Sequence, residues 1–137
     1  MKVIKRRSFI RRSMLVTAGV AAGAPAYIKG FAQTKPSDII NVAVAGINSR
    51  GGAHVSNFNK TGSSRVVAIC DADENLFPGM VSNIEKQGWV KPRTVVDFRD
   101  LLDDKDIDAV SIATPGYWHA LQTIWACQAG KDVYVEK

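Results

Sequence analysis

Gly46, Asn48 and Gly51 follow the apolar run VAVA at residues 42–45, and Asp71 stands about twenty residues beyond Gly51. Small residues at this spacing, between a strand and a helix, suit the binding of a pyrophosphate. The helix N-terminus offers unpaired N–H groups and a partial positive charge, while glycine lets the backbone come close to the ligand. Asn48 occupies the middle position, where the common pattern has a second glycine. Asparagine is the non-glycine residue that best tolerates a left-handed backbone, so the turn is expected to survive with Asn48 in that conformation and its side chain near the phosphates. Taken alone, the spacing also suits a plain strand-to-helix turn. Asp71 adds a second feature, because it ends the run RVVAIC where a dinucleotide fingerprint has an acid for the adenosine ribose hydroxyls. A carboxylate there repels a ribose phosphate and favours NAD, whereas Arg50 in the turn could hold one and keeps NADP as the alternative. Asp71 could also cap a helix beginning DADEN, and the two roles are compatible.

Two later runs carry further polar residues. ATPGYWHA at 113–120 places Thr114 and Pro115 in a turn, with Trp118 and His119 opening the helix that follows. Each also has a plain structural reading: a capping threonine, a tryptophan packed under the loop, a histidine bonded to backbone. YVEK at 134–137 brings Glu136 and Lys137 to the end of another apolar run. Both runs fall where parallel sheets place their ligands, at the carboxyl ends of strands.

The elements that must position these residues can be read from periodicity. IINVAVA, RVVAIC, TVV, DAVSIA and DVYV are the strand candidates, several apolar nearly throughout, as strands covered on both faces are. Longer amphipathic stretches intervene at Ala53–Lys60, Asn75–Gln87, Phe98–Leu102 and Trp118–Ala129. In the last, Leu121, Ile124, Trp125 and Gln128 recur at helical spacing, and Gly130 is placed to stop the helix. Pro78 implies that the second stretch begins late or bends. Alternation of this kind predicts an α/β fold, a Rossmann-like doubly wound parallel sheet of about five strands. DDKDID at 103–108 reads as a solvated turn rather than a metal site, and no other cluster suggests a metal.

The 137 residues suffice for one domain, and 46% of them are hydrophobic, an ordinary globular value. The net charge of +5 would invite a nucleic-acid partner if it were spread over the chain. Instead, residues 1–32 hold seven basic side chains and no acidic one, leaving 11 basic against 13 acidic beyond them. The remainder has no basic stripe, so nucleic acid is set aside. The basic head runs KRRSFIRRSM, then a short apolar segment, Met14–Ala26, and small residues at Gly30 and Ala32 that suit a signal peptidase. Arg6-Arg7-Ser8-Phe9-Ile10 resembles a twin-arginine export signal, the alternative being an ordinary secretory signal or an uncleaved anchor. Residues 1–32 are therefore expected to be a signal peptide, 33–38 a linker and 39–137 the domain. The two cysteines, Cys70 and Cys127, are expected to be small core residues rather than a bridge.

VAVAGINSRG, VVAICDAD, ATPGYWHA and GKDVYVEK, in that order and spacing, resemble one family. It groups the oxidoreductases with glucose-fructose oxidoreductase, inositol 2-dehydrogenase and the rhizopine-catabolism protein MocA. The resemblance covers about Ile40 to Lys137, and exported twin-arginine members occur in that family. It implies dinucleotide binding by Gly46, Asn48, Ser49, Arg50, Gly51 and Asp71, with the Thr114-Pro115 turn, Trp118 and His119 beside the nicotinamide half. Glu136 is implied near the nicotinamide ribose, and Lys137 at the reacting hydroxyl as the catalytic residue. Many relatives have asparagine where this chain has Gly116, and the usual proline after Glu-Lys falls beyond Lys137. Family members continue into a C-terminal α+β domain, which carries a catalytic histidine and often the interface of a homo-oligomer. The chain is accordingly expected to be a fragment, or a truncated reading frame, that alone binds its nucleotide weakly and catalyses little. The full protein is expected to be a nicotinamide-dependent oxidoreductase of a sugar, polyol or related hydroxyl compound. The twin-arginine-like head implies a periplasmic or otherwise exported location, reached through the twin-arginine export machinery. Two other readings stay open: an NAD-dependent glycosidase or epimerase using transient oxidation, and a non-catalytic nucleotide- or sugar-binding protein.

Overall fold

The computed structural model describes residues 39–137; the signal peptide and linker read from the sequence lie outside the described residues. Five parallel strands form one sheet: β1 (Ile40–Ala45), β2 (Ser64–Cys70), β3 (Arg93–Val95), β4 (Ala109–Ile112) and β5 (Asp132–Val135). Their order across the sheet is β3-β2-β1-β4-β5. The chain winds outward from β1 in one direction, then returns and winds outward in the other, so the switch point lies between β1 and β4. Among the described residues, three α-helices cover the sheet: α1 (Arg50–Lys60), α2 (Phe77–Lys86) and α3 (Gly116–Gln128).

The side chains of β1 explain the two-sided burial. Val42 and Val44 point to one face, where they meet Val55 of α1 and Phe77 and Ile84 of α2. Ala43 and Ala45 point to the other, beside Phe98, Leu101, Ile112 and Ala126 of α3. Larger residues on one face and alanines on the other let both helix layers approach a strand that has no solvent face. Register between β1 and β2 slips once, pairing Val42 with Val66 but Ala43 with Ala68, so Val67 is the extra residue. The slip carries Ala68 and Cys70 to the alanine face of β1, and leaves Ile69 on the valine face.

Several boundaries differ from the sequence-based expectation. α1 begins at Arg50, three residues before the expected Ala53, because Gly51 and Gly52 lie inside its first turn despite their low helix propensity. A 3-10 turn at Glu74–Leu76 precedes α2, which starts at Phe77 with Pro78 in its first turn. A proline is tolerated there because the first N–H groups of a helix have no partner within it. The stretch expected to be helical at Phe98–Leu102 is a single 3-10 turn, Phe98–Leu101, capped by Asp97. α3 ends as expected at Gly130, whose φ of 73° allows Lys131 N–H to reach the Ala126 carbonyl at 2.9 Å.

The buried face of α3 is not the one its apolar spacing implied. Gln122 and Ala126 are buried and Trp125 partly so, while Leu121 and Ile124 face outward. A small residue at 126 brings the helix close to the sheet, and the larger apolar side chains on either side are turned away. Cys127 follows them to the surface, contrary to the expected core position, whereas Cys70 is buried in β2. In the acidic turn, Asp104 pairs with Arg93 at 2.8 Å and Asp108 accepts the Asn41 N–H at 2.8 Å, so these carboxylates hold strand ends.

Candidate functional site

The carboxyl ends of β1, β2 and β4 meet at Gly46. Its N–H donates to the Cys70 carbonyl at 2.8 Å, and its φ is 79°. A Cβ added here would come within 2.6 Å of the Thr114 nitrogen, so only glycine lets the first turn pass so close to the end of β4. Ile47 is buried, and its N–H donates to the Asp71 carboxylate at 2.9 Å. Asp71 also accepts the Asp73 N–H at 3.1 Å. The cap of the DADEN turn is Asp73, which accepts from the Asn75 N–H, and not Asp71.

Asn48 is exposed with an ordinary φ, and the left-handed residue is its neighbour Ser49, at φ 53°. The expected left-handed Asn48 is thus displaced by one position: the reversal occurs at the residue that immediately precedes the helix. Gly51 is buried where its first helical turn crosses the Gly46 carbonyl, and a Cβ there would overlap that oxygen. The N-terminus of α1 has no side-chain cap and no acidic residue in its first turn. Its unpartnered N–H groups and the positive end of the helix dipole are therefore available to an anion.

A cleft of about 980 Å³ runs across this edge. Gly46, Asn48, Ser49, Arg50, Asp71, Thr114, Pro115 and Trp118 line it, eight of the residues singled out from the sequence. Gly51 lies beneath it as backbone support. His119 is directed elsewhere, its Nε2 bonded to the Thr114 carbonyl at 2.6 Å, which is the plain structural role weighed for it. The Thr114 hydroxyl donates to the buried Gln122 at 2.6 Å, so the end of β4 is fixed by two side chains from α3. α3 starts at Gly116, ahead of the expected Trp118.

Glu136 and Lys137 extend past β5, with Glu136 N–H bonded to the Ile112 carbonyl at 2.9 Å. Lys137 is exposed. The Glu136 carboxylate meets His54 of α1 at 3.1 Å and Arg50 at 3.8 Å. Desolvation pushes its carboxyl upward, but the His54 hydrogen bond, the Lys137 N–H and the Arg50 charge outweigh that and hold it below the ordinary value. Arg50 thus reaches from the lining of the cleft toward Glu136.

Glu136 and Lys137 stand outside the lining of the cleft, which also takes in Asp73, Leu76 and Val96 to Arg99, residues that sequence spacing did not single out. Arg99 pairs with Asp97 through side chain and backbone, and these bonds lower the Asp97 carboxyl to about 2. His54 and Gln122 were missed as well. Both are polar residues inside helices, and only their lack of exposure marks them.

A parallel sheet in this order, with a glycine turn at its switch point and an acid closing the second strand, defines a dinucleotide-binding Rossmann domain. Residues 40–137 match the oxidoreductase family with an NAD-binding Rossmann fold, the glucose-fructose oxidoreductase, inositol dehydrogenase and MocA group, and the chain belongs to that family. It is 32% identical to a glycosyl hydrolase family 109 protein of Shewanella baltica, across 97% of this chain and 33% of that protein. The chain therefore spans about a third of the length of the curated relatives it matches. Among solved structures, it resembles myo-inositol dehydrogenase of Lactobacillus casei in complex with NAD(H) and myo-inositol. That match has 27% identity and a TM-score of 0.66 over 72% of this chain and 28% of that one. The scyllo-inositol dehydrogenase of the same organism, with NAD(H) and scyllo-inositol, is similar at 26% identity and a TM-score of 0.63, with 72% and 28% covered.

Proposed function

We propose that residues 39–137 form the cofactor half of an NAD-dependent oxidoreductase acting on a sugar, polyol or related hydroxyl compound. One observation carries the reading: the uncapped, acid-free N-terminus of α1 opens, with Gly46, Asn48, Ser49 and Arg50, onto the same cleft as Asp71. The residues fit a dinucleotide. Gly46 and Gly51 let the backbone N–H groups approach a pyrophosphate. Each Asp71 oxygen makes one protein hydrogen bond and keeps a free acceptor site for the adenosine ribose diol. Thr114, Pro115 and Trp118 flank the nicotinamide half, with His119 holding the Thr114 carbonyl in place. Glu136 takes the nicotinamide ribose, and Lys137 the reacting hydroxyl.

Bound NAD supplies the hydride acceptor. Lys137 holds the proton at the substrate oxygen, sharing the task with the histidine that the family resemblance places in a second domain. Titrating the 137-residue chain with NAD+ and NADP+, read from the fluorescence of Trp118 and Trp125 in the cleft, tests the cofactor assignment. NAD+ is expected to bind more tightly; binding of neither overturns it.

The Shewanella relatives named as glycosyl hydrolases favour a second reading, in which oxidation at one sugar carbon is transient and is reversed after elimination or inversion. Product analysis of the full-length protein on an aryl glycoside separates the two. NAD+-dependent release of the aryl alcohol without net NADH indicates the glycosidase; accumulating NADH indicates the dehydrogenase.

Export is part of the proposal, supported by Arg6-Arg7-Ser8-Phe9-Ile10. Free nicotinamide cofactor is scarce outside the cytoplasm, so the cofactor would be loaded before export and retained. Arg6→Lys with Arg7→Lys should leave the protein in the cytoplasm, and unchanged export would refute the twin-arginine route.

A further inference from the structure

His54 sits on the helix that follows the glycine turn, buried behind the cleft rather than among the residues that line it. Its ring bonds Ser111 Oγ through Nδ1 at 2.9 Å and Glu136 Oε2 through Nε2 at 3.1 Å. The side chain is 7% exposed, against 19% for Glu136. Tyr134 packs edge-on against the imidazole at a centroid distance of 5.4 Å, and Phe58 at 6.5 Å. Both ring nitrogens are therefore engaged, and two aromatic rings fix the plane. An ionised Glu136 can only accept, so Nε2 carries the hydrogen that faces it, and in the neutral ring Nδ1 accepts from the Ser111 hydroxyl.

Three elements are joined by this one side chain. His54 is three residues after Gly51 on α1, Ser111 is three residues before Thr114 on β4, and Glu136 follows β5. A residue needed only to fill space would not require two directed bonds to polar partners in a buried position, where an apolar side chain of similar size costs less. A carboxylate just beyond the end of a strand, by contrast, needs a donor from a rigid element to hold one rotamer.

We propose that His54 is the positioning residue for Glu136: a Ser111–His54–Glu136 chain of hydrogen bonds aims the carboxylate at the vicinal hydroxyls of the nicotinamide ribose. The phosphate-binding helix and the ribose-binding carboxylate are thereby locked into one unit. The inference rests on the reading of the cleft as an NAD site.

The test compares NAD+ with ADP, which lacks the nicotinamide ribose, on the full 137-residue chain. Affinities are measured by calorimetry for wild type, His54→Leu, His54→Gln, Glu136→Gln and the double variant His54→Leu/Glu136→Gln. His54→Leu should weaken NAD+ by about tenfold, the scale of one charge-assisted hydrogen bond, and leave ADP within about twofold. His54→Gln, whose amide can donate in place of Nε2, should recover most of the loss. The double variant should bind NAD+ no more weakly than Glu136→Gln alone. Equal losses for NAD+ and ADP, no recovery with glutamine, or a double variant weaker than Glu136→Gln would overturn the positioning role while leaving the NAD site intact. A wild-type chain that binds neither ligand would overturn the NAD reading, and this inference with it. Circular dichroism of each variant reports folding separately, so that equal losses are counted only for chains that keep the wild-type spectrum.

Discussion

The Asp71 carboxylate accepts the N–H of Ile47 at 2.9 Å, fastening the end of β2 to the turn that follows β1. The residue read as a ribose ligand is also a strut of the phosphate turn. Asp71→Ala should therefore cost about 1–3 kcal/mol in stability by stripping an acceptor from a largely buried N–H. Asp71→Asn keeps an acceptor oxygen and should cost less, yet it removes the charge that repels a ribose phosphate. Denaturant unfolding with NAD+ and NADP+ titrations checks both. If Asp71→Asn leaves the ratio of the two affinities unchanged, the carboxylate does not set cofactor choice.

Two glycines should respond to alanine in opposite ways. At Gly51 the new Cβ overlaps the Gly46 carbonyl, so the turn or the start of α1 must move, and both melting temperature and nucleotide affinity should fall. At Gly79, in α2, the Cβ meets nothing within 4 Å, and its better helix propensity should add up to about 1 kcal/mol. Thermal melts of the two variants give the comparison. A Gly51→Ala chain as stable as wild type would show that the crossing of α1 over Gly46 is looser than described.

The two thiols should differ sharply in reactivity. Burial, then the charges of Asp71, Asp97 and Asp100, push the Cys70 thiol up to about 12, while Cys127 is exposed. Alkylation of the native chain near pH 8 should modify Cys127 alone, and addition of denaturant should expose Cys70. Because the folded chain keeps Cys70 protonated when the unfolded chain ionises near 9.0, this group lowers stability as pH rises from 9.0 toward 12. Cys70→Ala should flatten that alkaline decline in unfolding experiments.

Acid should act through Asp97. Its bonds to Arg99 lower the carboxyl from 3.8 to about 2, so its stabilising contribution is complete above 3.8 and is lost as pH falls through 2. Asp97→Asn should remove part of the acid-induced fall in melting temperature in that window and lower neutral-pH stability by a matching amount, small because the pair is exposed. A variant with the wild-type acid profile would show that the pair contributes nothing to stability.

Leu101 closes the 3-10 turn that the sequence suggested as a helix, and it is fully buried against the alanine face of the sheet. Leu101→Ala should destabilise the domain by about 2–5 kcal/mol, the range for a buried leucine. Chemical denaturation measures it directly, and a loss below about 1 kcal/mol would mean that the cavity collapses on truncation.

Local pattern was enough to reveal the order of strands and helices, the glycine turn at Gly46 and Gly51, and Asp71 at the end of the second strand. Each depends on neighbours a few residues away or on an apolar run of limited length, and such features are written into composition and periodicity. Tertiary structure alone decided which face of α3 is buried, since Leu121 and Ile124 have the right spacing but Ala126 permits the closer approach. It also moved the left-handed residue from Asn48 to Ser49, and turned His119 to the Thr114 carbonyl. The Ser111, His54 and Glu136 contacts span 57 and 82 residues of sequence, and they form only because β4 lies beside β1 and β5 beside β4. Periodicity reports what one segment does with water on one side and a core on the other. Which distant side chain completes a buried hydrogen bond is fixed by strand order and register, and no local pattern encodes it.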